Sequence, residues 1–231
     1  MLNKRKFLKK NTLINAWIHS KSISSAMVLL SFDFDSITID LQHGMLDIES
    51  CINLLQLINL KRKFSIVRVP TNDIGIINKC LDAGAGGIIC PLINNKEECK
   101  SFLKNCHYPP DGNRSFGPTI ASINNEQYFK NRNKEIFSVV MIETKESVEN
   151  LDQILSQEKL DAIYIGPYDL SISYGVDPSQ VYKLSNMLKL YQNILKKARS
   201  YEKIVAIHCS GAETASFFAN KGFDMVTIST D

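Results

Sequence analysis

The chain has 231 residues, 44% of them hydrophobic and 22% charged, with a formal net charge of +3. This is an ordinary globular composition, and so small a charge leaves no electrostatic footprint for nucleic acid or a membrane surface. The length suits one large α/β domain or two small ones.

Taken in chain order, the N-terminus is locally basic (Lys4, Arg5, Lys6, Lys9, Lys10) and is expected to form a solvated helix or tail. The apolar run from Met27 to Phe32 is too short for a signal core or a membrane span. Eight strand-like runs follow one another: Leu13–Ile18, Ser36–Leu41, Ser65–Val69, Gly87–Ile93, Ser138–Ile142, Ala162–Ile165, Ile204–Ile207 and Met225–Ile228. Amphipathic stretches lie between most of them, over 46–60, 74–83, 147–155, 181–198 and 212–219. Strands alternating with helices specify a parallel β/α architecture. Eight units specify a (β/α)8 TIM-type barrel, here one domain over residues 1–231, with a doubly wound open sheet as the alternative. No G-x-G-x-x-G follows the first strand, so a dinucleotide fold has no positive support. The chain stops at Asp231, directly after the eighth run, so the helix that would cover that strand is expected to be absent. The longest irregular segment spans residues 105–125, and loops of that length are often functional. Six cysteines are scattered without C-x-x-C spacing, which is the pattern of free thiols in a reducing cytoplasm. Cys106 and His107 form one adjacent pair of metal-ligand type.

The most informative residues are two carboxylates just past neighbouring apolar runs: Glu143 after Val139-Val140-Met141-Ile142, and Asp169 after Ile163-Tyr164-Ile165-Gly166-Pro167-Tyr168. Short Val/Ile-rich runs without polar alternation are strands buried on both faces of a parallel sheet. The C-terminal ends of such strands are where α/β folds place their chemistry. Two oxygen donors converging there suit a hard divalent cation. The plain alternative is two solvated loop acids, one of them capping a helix.

Seven segments in order resemble the class II, metal-dependent pyruvate aldolases of the HpcH/HpaI aldolase/citrate lyase family. They are Ile39-Asp40-Leu41-Gln42-His43-Gly44, Val67-Arg68-Val69-Pro70, Leu81-Asp82-Ala83-Gly84-Ala85, Tyr108-Pro109-Pro110-Asp111-Gly112-Asn113-Arg114, Met141-Ile142-Glu143-Thr144, Ile165-Gly166-Pro167-Tyr168-Asp169-Leu170-Ser171 and Gly222-Phe223-Asp224. The resemblance implies Mg²⁺ or Mn²⁺ held by Glu143 and Asp169, chelating the keto and carboxylate oxygens of pyruvate. It implies that Arg68 stabilises the enolate oxygen, that His43 transfers the proton, and that Asp82 supports this histidine from a neighbouring subunit. The turn at Gly166, Tyr168 and Asp169 matches the one that holds the substrate carboxylate, and Trp17 matches an aromatic lining the pocket. Some members carry glutamine where this chain has Met141.

These groups match what aldol cleavage of a 4-hydroxy-2-oxo acid requires. A Lewis acid and a fixed guanidinium stabilise the developing enolate charge. A histidine, with its pKa near working pH, takes the hydroxyl proton. The expected partners are a small oxo acid and further copies of the chain in a homo-oligomer, with neither nucleic acid nor membrane. Two other functions fit the same residues: a citrate-lyase-like lyase acting on a CoA thioester, and a non-catalytic barrel subunit. His19, His107 and His208 are given no role, and Arg114 is either solvated or a grip for a distal carboxylate.

Overall fold

The computed structural model describes residues 4, 8, 12–123 and 125–231. Among them, eight parallel strands close into a barrel in sequence order. They are β1 (Leu13–Ile18), β2 (Ser36–Asp40), β3 (Phe64–Arg68), β4 (Gly87–Cys90), β5 (Phe137–Ile142), β6 (Ala162–Ile165), β7 (Ile204–His208) and β8 (Met225–Thr230). This is the TIM-type (β/α)8 architecture, not the open sheet. β8 pairs with β1 and completes the ring.

The strand ends differ from expectation for local reasons. β4 stops at Cys90, because Pro91 has no N–H and Leu92 turns the chain at φ +53°. The amphipathic stretch 147–155 divides into two short helices, Lys145–Glu149 and Leu151–Leu155, around Asn150. That asparagine leaves helical geometry and donates from Nδ2 to the Asn94 carbonyl at 2.9 Å. The stretch from 181 becomes helical only at Ser185, after a 3-10 turn over Pro178–Gln180. The irregular segment remains largely so: between the helices Lys96–Cys106 and Tyr128–Glu135 the described residues form turns and extended chain.

Alternate residues of a strand face opposite sides, so each β strand here feeds two cores. The outward set, including Ile37, Ile39, Val67, Ile88, Val140, Ile163, Val205 and Ile207, packs under the helices. The inward set fills the barrel with Leu13, Trp17, Phe64, Ile66, Ile89, Phe137, Val139, Met141, Tyr164 and Met225. A polar chain crosses this interior. Ser36 and Thr38 hydroxyls donate to Asn15 Oδ1, whose Nδ2 donates to Thr227 Oγ1, which also accepts from the Tyr164 hydroxyl. Every member is buried, so the hydrogen bonds offset desolvation.

Lys4 is not solvated as expected. Its ammonium is partly buried and reaches Asp161 Oδ1 at 2.5 Å and the Ile136 carbonyl at 2.9 Å. Arg5, Lys6, Lys9 and Lys10 lie outside the described residues. All six cysteines are free and buried. The Cys106–His107 pair gathers no further ligand among the described residues: His107 Nδ1 is bonded to the Leu103 carbonyl at 2.7 Å. No helix among the described residues is long and apolar enough to cross a membrane.

Candidate active site at the C-terminal mouth of the barrel

Inward parity continued past the strand ends decides what meets at the barrel mouth. The last inward positions are His19 beyond β1, Asp40 on β2, Arg68 on β3, Glu143 beyond β5, Gly166 beyond β6 and His208 on β7. A cavity of about 270 Å³ opens there, lined by Trp17, His19, His43, Arg68, Met141, Tyr164, Gly166, Pro167, Tyr168, Asp169 and His208.

Asp40 and Arg68 are register partners across β2 and β3. Arg68 donates to both Asp40 oxygens, from Nε at 2.8 Å and from Nη2 at 2.5 Å. Asp40 is fully buried. Burial alone would raise its pKa, but the Arg68 contacts, helped by Trp17 and the Gln42 N–H, hold it at about 2. The guanidinium lies over the Trp17 ring, 5.0 Å from its centroid. Nη1 makes no bond to Asp40, and its contact is the Met141 sulfur at 3.9 Å, a weak acceptor. Arg68 thus faces the cavity with one uncommitted N–H edge and a fixed orientation.

His43 sits in the turn after β2 and lines the cavity. Asp40 builds that turn, accepting from the N–H of Gln42 at 3.0 Å and of His43 at 3.3 Å. The turn is tight enough that a Cβ on Gly44 would lie 2.2 Å from the Asp40 carbonyl oxygen. His19 Nε2 also reaches Asp40, 3.0 Å from Oδ2. The sequence motifs assign no role to Asp40 or to His19. Both could have been found by counting inward parity from Trp17 and Thr38.

Glu143 is buried and Asp169 exposed. The Leu92 N–H donates to Glu143 Oε1 at 2.7 Å. Leu92 holds this position in the left-handed region, a strained choice for a non-glycine residue. Burial pushes the Glu143 carboxyl up to about 7, with the neighbouring Asp169 charge adding to it. A desolvated carboxylate beside a second negative charge is the donor set that a hard divalent cation would neutralise. The chemistry of Glu143 and Asp169 therefore fits such a cation, and these two side chains could hold it. No group of three or more potential ligands forms among the described residues. Gly166 packs closely beside this pair: a Cβ there would lie 2.8 Å from Glu143 Oε2 and 3.0 Å from Met141 Cε, so these side-chain ends would have to shift. Gly166→Ala should displace the Glu143 carboxylate and weaken Mn²⁺ binding by about 10–100-fold, the usual cost of misorienting a ligand. Calorimetric titration, with circular dichroism to verify the fold, checks this.

Asp82 is not among these residues. It ends the helix Ile74–Asp82 and accepts from Arg114 Nη2 at 2.6 Å. Arg114 is neither solvated nor a surface grip: it is buried, bonds the Tyr128 hydroxyl at 3.0 Å and lies 4.3 Å from the Tyr108 ring centroid. Together these contacts pin the long segment after Cys106 to the barrel. His208, which has no role in the sequence motifs, also lies in the cavity wall.

Comparison with known proteins agrees with this architecture. The family model described as HpcH/HpaI aldolase/citrate lyase matches residues 13–231. A hydroxypyruvate/pyruvate aldolase of Rhizorhabdus wittichii is 33% identical over 216 residues, covering 93% of this chain and 86% of that protein. A 5-keto-4-deoxy-D-glucarate aldolase of Shigella sonnei is 29% identical over 227 residues, covering 96% and 87% respectively. The crystal structure of an HpcH/HpaI aldolase from Desulfitobacterium hafniense superposes with a TM-score of 0.92 at 22% identity, covering 100% of this chain and 91% of that one. With a family match over nearly all of its length and aldolase relatives at this identity, the chain is a carbon–carbon lyase of the HpcH/HpaI aldolase/citrate lyase family.

Proposed function

We propose that this protein cleaves a 4-hydroxy-2-oxo acid to pyruvate and an aldehyde, using Mg²⁺ or Mn²⁺ held by Glu143 and Asp169. The observation that carries the proposal is Arg68, locked by Asp40 yet with Nη1 uncommitted, facing the same cavity as His43 and Asp169. The names of two relatives, hydroxypyruvate/pyruvate aldolase and 5-keto-4-deoxy-D-glucarate aldolase, add support from oxo-acid substrates.

The chemistry follows from the residues. The turn at Gly166, Tyr168 and Asp169 receives the substrate carboxylate, and Trp17 forms the adjacent wall. His43 takes the C4 hydroxyl proton as the C3–C4 bond breaks. The electron pair of that bond passes to C3 and the oxo oxygen, and Arg68 Nη1 stabilises the charge that develops on that oxygen. His43 then returns the proton to C3, which becomes the methyl group of pyruvate. A bound divalent cation supplies Lewis-acid polarisation of the oxo group. Buried Asp40 keeps Arg68 aimed and stays ionised. Met141 leaves Nη1 a weak partner, so the guanidinium is not competed away from substrate.

Asp82, tied to Arg114 in its own chain, acts in this proposal across a subunit boundary on a neighbour's His43, within a homo-oligomer. The six buried free thiols support a cytoplasmic location.

Purified protein with Mg²⁺ or Mn²⁺ should release pyruvate from 4-hydroxy-2-oxo acids, detected by coupled NADH oxidation. EDTA should abolish the release and added cation restore it. Pyruvate release indifferent to EDTA would overturn the metal-dependent route.

A further inference from the structure

We infer that His208 is a specificity-determining residue: it presents a hydrogen-bond acceptor to the cavity and selects oxo-acid or aldehyde substrates that carry an additional hydroxyl. This rests on the aldolase proposal for the identity of the bound acid, and adds a recognition element to it.

His208 closes β7 at an inward position and lines the cavity. Its ring is held on three sides. Trp17 meets it edge-on with centroids 5.9 Å apart, Tyr168 lies at 6.1 Å, and the Tyr164 hydroxyl is 3.4 Å from Nδ1. The Tyr182 hydroxyl donates to the His208 carbonyl at 2.9 Å and anchors the backbone.

The interior polar chain decides the tautomer. Asn15 Oδ1 is already an acceptor for two hydroxyls, so Asn15 donates from Nδ2 to Thr227 Oγ1. The Tyr164 hydroxyl proton also points to Thr227 Oγ1, at 2.7 Å. The Tyr164 oxygen is then left to accept from Nδ1–H of His208. This pattern assigns the proton to Nδ1 and leaves the lone pair on Nε2. Nε2 has no hydrogen-bond partner among the described residues. Burial and the nearby Arg68 charge push the His208 pKa down to about 4, so the ring is neutral near pH 7.

The other polar groups of the cavity have different work. His19 Nε2 is engaged by Asp40, Arg68 is only a donor, and Met141 offers a thioether. A neutral acceptor in a partly dry wall is satisfied by an O–H and left unpaired by a C–H. A site built to bond a hydroxyl therefore disfavours the analogue lacking it.

Two matched substrate pairs test this and separate the two sources of the hydroxyl. Hydroxypyruvate against pyruvate places it on the donor half, and glyceraldehyde against propanal on the aldehyde half. Trp17 is the only tryptophan of the chain and touches the His208 ring, so its fluorescence reports binding of the first pair in Mg²⁺ without turnover. Condensation with pyruvate gives kcat/KM for the second pair. The wild type should favour the hydroxylated member of at least one pair. His208→Phe, which keeps a ring against Trp17 but no acceptor, should shrink that preference by about tenfold or more. His208→Gln, which keeps an acceptor, should retain most of it. His208→Leu serves as a second acceptor-free variant should the Phe protein not fold, as judged by circular dichroism. A preference unchanged within twofold in a folded acceptor-free variant would overturn the inference, as would a wild type with no preference in either pair. Failure of the wild type to condense or cleave any acid would count against the aldolase proposal instead, while the fluorescence comparison would still decide the role of His208.

Discussion

Glu143→Gln is expected to lower Mn²⁺ affinity more than a hundredfold, since even disturbing a group behind a metal ligand costs about 10–100-fold. Pyruvate formation should fall with it. The substitution is nearly isosteric, and its amide oxygen can still accept from the Leu92 N–H, so the fold should persist. An opposite effect on stability accompanies this loss. The folded carboxyl titrates at about 7 against a reference of 4.5, so the fold disfavours its ionised form. That penalty is absent below the unfolded pKa and grows as pH rises from 4.5 through 7, reaching about 3 kcal/mol above it. Cation-free Glu143→Gln should therefore unfold at a higher temperature than cation-free wild type at pH 8, with the gap closing at pH 5. Mn²⁺ should raise the melting temperature of the wild type and not of the variant. Scanning calorimetry at the two pH values, with and without Mn²⁺, checks each part. A variant that still binds Mn²⁺ like wild type would remove Glu143 from the metal site.

Asp40→Ala is expected to destabilise the protein by roughly 3–5 kcal/mol, the cost of leaving one member of a buried ion pair without the other. Asp40 is fully buried and Arg68 nearly so, leaving little water to solvate the orphaned guanidinium. The same change frees Arg68 to swing from the Trp17 face and removes the acceptor that shapes the His43 turn. Turnover should drop by about 10²–10³-fold, as when one preorganised donor is lost from a charge-stabilising site. The acid dependence has a defined sign. Asp40 titrates at about 2 when folded against 3.8 as a free group, so its stabilisation is complete above 3.8 and is lost as pH falls through 2. Urea unfolding between pH 2 and 6 should show wild type losing stability on acidification over that window and Asp40→Ala losing less. Equal slopes would mean that the pair contributes nothing to the linkage.

Much of the fold was legible from residues alone. Runs such as Val139-Val140-Met141-Ile142 are apolar on consecutive positions because both faces of a barrel strand are covered, and that pattern depends on local composition only. Helix starts were legible where a short polar side chain caps them, as Asp47 and Asp73 do before Ile48 and Ile74. Ends were less so, since the stop of β4 depends on Leu92 adopting a left-handed φ that composition does not signal.

At the site, the carboxylates, the arginine and the histidine of the turn are legible as candidates in the sequence alone, because each follows an apolar run in a motif of recognisable chemistry. The tertiary structure decided the partnerships. Asp40 meets Arg68 through the β2–β3 register, and Trp17 meets His208 by closure of the barrel across β8. Glu143 is aimed by an amide from 51 residues earlier in the chain. Closure also turned His19 and His208, unremarkable after their strands, into cavity walls, and carried Asp82 away to Arg114. The physical reason is that local sequence sets which way a side chain points along its strand, whereas what it faces is set by strands far away in the chain, through parallel pairing and the period of two.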